Sequence, residues 1–321
     1  MRIFSQLPGS QVTACAEKDL RKAAPFRRLF PGTNFYDDHR RLIDDPSIDA
    51  LVIATPSRSH HALAKEALLA GKHVLVEKPM TVGPAEARDI CRTARLMRKV
   101  VMVGHTFLFN AGVQALKHHI RSGLLGNLHY LHAERTNLGP IRDDVNALLD
   151  LAPHDVSIFL DLLGKMPRAV SAHGGSYVKT GREDVVFLNL FFPGNVLANI
   201  HVSWLDPRKV RRLTVIGSRK MAVFDDVDVS ETIKIYDKGV IKEKRYSNFG
   251  EFQMILRDGD ILIPKVALSE PLKNQCQYFI DVLRGRKPLL SGPEVGLRVV
   301  EVMDAAQRSL RAGGKTVALR S

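Results

Sequence analysis

Asp49–Met80 reads DALVIATPSRSHHALAKEALLAGKHVLVEKPM, and the order of patterns inside it decides the fold. Ala50–Ile53 is a short apolar, β-branched run of the kind that fills a strand buried on both faces. From Ser59 to Leu69 apolar residues recur at helical spacing, and Gly71 stands where a left-handed residue closes a helix. His73–Val76 is a second buried strand, and it runs directly into Glu77, Lys78 and Pro79. Strand, helix and strand in this order predict a parallel βαβ unit.

The pattern continues on both sides. QVTACAE (Gln11–Glu17) reads as a short strand, KDLRKAAPFRRLF as a helix and DDHRRLIDDPSI as a shorter one. GPAEARDICRTARLMRK is a helix leading into the strand VVMVGHT (Val100–Thr106). The fold class expected here is α/β, with a Rossmann-like doubly wound parallel sheet in residues 1–108. Beyond it the rhythm changes. Helices at AGVQALKHHIRSG and LDLAPHDVSIFLDLLG precede a strand-dominated stretch from about Met166 to Lys238, with short turns such as PGN. Two helices, from Glu270 and Gly292, close the chain, and residues 240–268, poorest in pattern, are expected to include a long loop. Residues 109–321 are therefore expected to form an α+β domain on a mostly antiparallel open sheet.

Composition sets bounds. The 321 residues are 45% hydrophobic and 25% charged, as in globular chains with a full core. No apolar run reaches membrane-spanning length, and no signal-peptide pattern opens the chain. Cys15, Cys91 and Cys276 have no paired spacing, which fits a reducing, cytoplasmic setting. The formal charge of +13 is spread out without interleaved aromatics, which favours anionic small molecules over nucleic acid, a simply basic surface being the alternative source of most of the excess.

Open parallel sheets bind ligands at the carboxyl ends of their strands. Three such ends carry suitable groups: Glu17, Thr55 with Pro56, and Glu77–Lys78–Pro79. An acid at the position of Glu17 accepts from adenosine ribose hydroxyls and repels a 2′-phosphate, favouring NAD over NADP; the alternative is a solvated strand-end acid. No Gly-x-Gly occurs in the first 110 residues. The usual distance from glycine loop to acid, about 20 residues, would place the first strand and its loop before Met1. MRIFSQLPGS then reads as the end of a first helix and its turn.

With Ala-Thr-Pro, His60 and Glu-Lys-Pro in one segment, and with VGHTFLFNAGVQALK and DLAPHDVSIFLDLLG beyond it, the chain resembles the Gfo/Idh/MocA family of sugar and cyclitol oxidoreductases. RTNLGPIRDDVNALLDLAPHDVSI and VSWLDPRKVRRLTVIGSRKMAVFDD resemble its branch of UDP-N-acetylglucosamine and UDP-N-acetylglucosaminuronate 3-dehydrogenases. The resemblance implies NAD-dependent oxidation of a secondary hydroxyl, on a nucleotide-activated or otherwise anionic sugar. It also implies a homodimer or homotetramer built through the second domain's sheet. Free-sugar or inositol oxidation, and a truncated sugar-binding protein without catalysis, are the competing expectations.

Carried over by motif, Lys78 is the amine that reaches the nicotinamide ribose and the reacting hydroxyl, often after a cis bond to Pro79. His154 is the histidine of the next domain, and Asp150 shares its helix face at i, i+4; Ser157 stands where relatives often carry an acid. Hydride removal from an alcohol requires a base for its proton. His154 as base with Lys78 as orienter and relay is one division of labour, and the reverse is the other. Glu17, Thr55, Pro56, His60, Glu77, Lys78, Pro79 and His105 are the candidate cofactor residues. Lys78, Arg142, Asn146 and His154 are candidates for the substrate. No metal site is expected from His60–His61 or His118–His119, because adjacent histidines leave a helix in different directions. Trp204 reads as sheet packing.

Overall fold

The structure is a computed structural model and describes residues 1–240 and 256–319. The chain divides into two compact units, one of Met1–Thr106 with Glu270–Val300, the other of Phe107–Ser269 with Glu301–Ser321. The expected single boundary after residue 108 is corrected by this return at Glu270. Its cause is apolar burial: Cys276 and Ile280 lie under Ile3 and Leu7, and Val300 joins the core of the first unit.

In the first unit, strands β3 (Ala50–Ile53), β4 (His73–Val76) and β5 (Val101–Val103) form a parallel sheet in that order. Val74, Leu75 and Val76 are each at most 3% exposed, so β4 is covered on both faces, as its unbroken apolar run demands. Helix α4 (His60–Leu69) contributes Ala64, Ala67 and Leu68 to this core. Helix α5 (Pro84–Met97) adds Ala87, Ile90 and Ala94, three or four residues apart on its inner stripe. Gly71 has φ +76, and its N–H bonds the carbonyl of Leu68, the expected helix stop. A second parallel pair joins β1 (Ala14–Ala16) to β2 (Asn34–Tyr36). β2 escaped the sequence reading because three residues, one exposed and two half-buried, give no periodicity. Helices α1 (Arg2–Gln6), α2 (Leu20–Leu29) and α3 (Arg40–Ile43) complete this part.

The second unit is built on a nine-stranded sheet. Its strands are β6 (Leu128–Leu138), β7 (Ala169–Gly175), β8 (Val185–Phe192), β9 (Val196–Ser203), β10 (Leu205–Gly217), β11 (Met221–Asp225), β12 (Ile233–Val240), β13 (Leu256–Leu262) and β14 (Val317–Ala318). Spatially they run β13-β12-β11-β10-β6-β9-β8-β7-β14. All pairs are antiparallel except β6 with β9. RRLTVIGSRKMAVFDD is a hairpin of β10 and β11. β13 occupies part of the expected loop, while 241–255 lies outside the described residues. Helices α6 (Ala111–Arg121) and α7 (Ala147–Leu163) pack on the sheet. Buried and open positions alternate strictly in β8, so one face is core and the other is not. Helix α8 (Pro271–Leu283) belongs to the first unit, and α9 (Pro293–Arg311) is divided between the two.

Candidate active site

The first unit gathers the Glu-Lys-Pro loop and its neighbours at the carboxyl ends of β3, β4 and β5. Parallel pairing matches Ile53 with Val76 and Val76 with Val103. The ladder continues one step further, with Glu77 N–H on the Ile53 carbonyl and Gly104 N–H on the Val76 carbonyl. Lys78 and His105 thus both lie two residues beyond a register pair. The Lys78–Pro79 peptide is cis. The Glu77 carboxylate accepts from Lys78 N–H at 3.2 Å and lies against Gly104, where an added Cβ would meet Glu77 Oε2 at 3.0 Å. Glycine at 104 thus lets the Glu77 carboxylate lie close against the end of β5, and a side chain there would push that carboxylate aside by a few tenths of an ångström.

His60, a candidate cofactor residue, bonds the backbone of two neighbouring loops. It is 1% exposed, and its ring nitrogens lie 2.8 Å from the Pro79 carbonyl and 2.8 Å from the Thr55 carbonyl. It ties the loop after β3 to the loop after β4, from beneath. Thr55 and Pro56 are exposed, and Thr55 Oγ1 is 2.8 Å from Ser59 Oγ. Glu17 directly follows β1, its N–H held by the Tyr36 carbonyl and its carboxylate accepting from Asp19 N–H. These strand-end positions suit a ribose and a nicotinamide ring.

His105 is buried against Ser291, its Nδ1 3.1 Å from Ser291 Oγ. Desolvation, with Lys78 adding a like-charge effect, lowers the His105 pKa to about 4. The ring is accordingly uncharged at neutral pH.

The second unit carries the other candidates. Asn146 Oδ1 accepts from Leu149 N–H and caps α7, while its amide donates to Glu183 and Gln307. Its side chain is 6% exposed. Asn146, a candidate for the substrate, thus holds the start of α7 through its side chain. Asp150, in the first turn of α7, accepts from Arg142 at 3.2 Å and from the indole N–H of Trp204 at 3.4 Å. Trp204 is fully buried as expected, but it also orients this carboxylate, a role without a local sequence signal. Arg142 makes a two-point pair with Asp144, which is the main reason its guanidinium is held more firmly protonated than usual. Such exposed pairs are worth about 0–1 kcal/mol, so Arg142 can be recruited by an anion at little cost.

His154 lies one turn beyond Asp150 on α7. Phe107 packs edge-on against the His154 ring with centroids 5.1 Å apart. The Arg135 guanidinium covers the Phe107 ring at 4.2 Å and is itself locked to Asp155 by two hydrogen bonds of 2.8 and 2.9 Å. Phe107, Arg135 and Asp155 went unremarked in the sequence because they come from a turn, a strand and a helix that are distant in the chain. Ser157, at the position where relatives often carry an acid, donates to the His154 carbonyl.

Among the described residues, no group of three or more His, Cys, Asp or Glu side chains forms a metal cluster, and no helix is long and apolar enough to cross a membrane. His61 is paired with the carboxylate of Asp89. That carboxylate is shared with Lys65 and Arg92, whose donors, Lys65 first, hold it far below the usual range.

Both units are similar to known proteins. The family model "Oxidoreductase family, NAD-binding Rossmann fold" matches residues 1–105, and "GFO/IDH/MocA C-terminal domain" matches 113–223. UDP-N-acetylglucosamine 3-dehydrogenase of Acidithiobacillus ferrooxidans is 30% identical over 89% of this chain and 84% of its own. Trans-1,2-dihydrobenzene-1,2-diol dehydrogenase of Oryctolagus cuniculus is 34% identical, over 60% of this chain and 62% of that one. Among solved structures, GenD2 from gentamicin A biosynthesis in complex with NAD has the same fold, with a TM-score of 0.82 at 22% identity, covering 100% of this chain and 92% of that one. With both units matched by its models, the chain belongs to the Gfo/Idh/MocA family of NAD-binding oxidoreductases.

Proposed function

We propose that the protein oxidises a secondary hydroxyl of a nucleotide-activated amino sugar, at C3, with NAD as oxidant. The observation that carries the reading is Lys78, placed beyond the carboxyl end of buried β4 on a loop braced by His60 and Glu77. Bound NAD supplies the hydride acceptor. Lys78 orients the reacting hydroxyl through its ammonium group. His154 takes the hydroxyl proton on a ring nitrogen as the C–H hydride leaves and the C=O forms. Asp150, held by Trp204 and Arg142, orients the substrate, and Arg142 is available to its phosphates. Glu17, Thr55, Pro56 and Pro79 line the cofactor's side, with Glu17 selecting NAD over NADP. The Acidithiobacillus relative supports the nucleotide sugar.

The reading is tested by titrating the protein with NADH and NADPH by fluorescence, then following NAD reduction with UDP-N-acetylglucosamine, N-acetylglucosamine, myo-inositol and a trans-dihydrodiol. Saturable NADH binding and fastest turnover of the nucleotide sugar are expected. NADPH binding as tight as NADH would remove Glu17 from its role. Faster turnover of inositol or the diol would replace the substrate.

We also propose self-association through the open sheet face. Tyr130 pairs with Leu197, and Leu197 with Phe191, across β6, β9 and β8, and all three are exposed. A contiguous apolar stripe of this kind marks an interface. Leu197→Glu should shift the sedimentation coefficient to that of a monomer; an unchanged value, or a monomeric wild type, would exclude this face.

A further inference from the structure

Ser291 lies far from the Rossmann motifs in sequence, yet it is fully buried at the end of β5. Val103 N–H donates to the Ser291 carbonyl at 2.8 Å, and the Ser291 hydroxyl donates to the Val103 carbonyl at 2.8 Å. A hydroxyl has one proton, and a carbonyl can only accept, so that proton is committed to Val103. The remaining contact of Ser291 Oγ, with His105 Nδ1 at 3.1 Å, must therefore run the other way: the imidazole donates and the hydroxyl accepts. The proton on one ring nitrogen is set by the hydrogen bond it makes, which leaves Nε2 with its lone pair.

The location of this ring gives the tautomer a consequence. His105 and Lys78 occupy equivalent positions, two residues past the pair Val76–Val103 on adjacent parallel strands. Resting on the reading of Lys78 as the amine that handles the substrate hydroxyl, we infer that Ser291 is a positioning residue for the reaction. It holds His105 as the neutral Nδ1–H tautomer, so the ring next to Lys78 offers an acceptor and adds no second positive charge. The opposite tautomer would put an N–H where this ring otherwise offers a lone pair. Burial reinforces the arrangement, since desolvation and then Lys78 disfavour protonation of this ring. Glu77, against Gly104, is the anionic neighbour on the same pair of loops.

The test combines a spectroscopic and a kinetic measurement on the full chain. Protein labelled with ¹⁵N-histidine is examined by long-range ¹H–¹⁵N correlation at neutral pH, and the His105 signals are assigned as those missing in His105→Gln. The wild type should show the Nδ1–H pattern, and Ser291→Ala should show the Nε2–H pattern that a histidine adopts without such a partner. Ser291→Ala should also lower kcat roughly tenfold with little change in KM for NAD, well short of the about 10²–10⁴ that loss of a general base costs. Ser291→Thr keeps the hydroxyl and should restore both readouts, which separates the hydrogen bond from a general loss of folding. An Nε2–H or doubly protonated His105 in the wild type would overturn the inference, as would a tautomer change in Ser291→Ala with kcat unaffected. Wild-type protein that shows the Nδ1–H pattern but no hydride transfer with any substrate would instead overturn the proposed function, and with it the catalytic meaning of the tautomer.

Discussion

Lys78→Met should lower turnover by about 10²–10⁴-fold, the range in which a positioned proton-handling group acts, while NADH binding changes only a few-fold. Methionine preserves the length and apolar stem of the side chain but removes the ammonium group. The loop keeps its form through His60, which bonds the Pro79 and Thr55 carbonyls, and through Glu77 packed against Gly104. His154→Ala should fall in the same range, and the double variant should be little worse than either single one, since residues that act as a unit are not additive. The measurement is steady-state kinetics beside NADH fluorescence and far-UV circular dichroism. Full activity in a folded Lys78→Met protein would remove the lysine from the chemistry.

The second large effect concerns stability. Arg135→Met should destabilise the protein by about 3–5 kcal/mol, because it leaves a carboxylate buried without its partner. Arg135 and Asp155 have side chains only 7% and 6% exposed and meet through two parallel hydrogen bonds. Asp155→Leu should cost a similar amount by stranding the guanidinium. The double variant, Arg135→Met with Asp155→Leu, should recover most of the loss, since an apolar pair of similar volume is often neutral or better. Urea unfolding midpoints of the four proteins decide this. Single variants within about 1 kcal/mol of the wild type would show that the pair is not desolvated as its burial implies. The pair also lies behind a proposed catalytic residue: Arg135 covers Phe107, and Phe107 abuts His154. The recovered double variant should accordingly be stable yet slower than the wild type.

The parallel strands were legible because an unbroken apolar run such as Val74–Val76 has one physical explanation, burial on both faces. Helices α4 and α5 were legible because their buried residues recur every three or four positions. β2 was missed for want of pattern, and the return of Glu270–Val300 to the first unit was missed because helix amphipathicity does not name the surface a helix covers. Among site residues, Glu77–Lys78–Pro79 stood out as a motif at a strand end. His60 and Asn146 stood out as well, but their hydrogen bonds to other parts of the protein did not. A histidine or asparagine in a loop-to-helix junction looks the same in sequence whether it faces a ligand or satisfies buried carbonyls and amides.

By itself, then, the sequence determined the βαβ rhythm, the change to a strand-rich second part, and the family signature at Glu77–Lys78–Pro79. These depend on residues close together in the chain, where periodicity and chain geometry act directly. Tertiary structure alone decided which side chains steady that signature and its partners. Ser291 on His105, Trp204 on Asp150, and Arg135 with Asp155 behind Phe107 are all contacts between distant segments. Hydrogen bonds and buried charges are satisfied wherever folding brings a donor to an acceptor, and that meeting leaves no period, spacing or composition in the chain to be read.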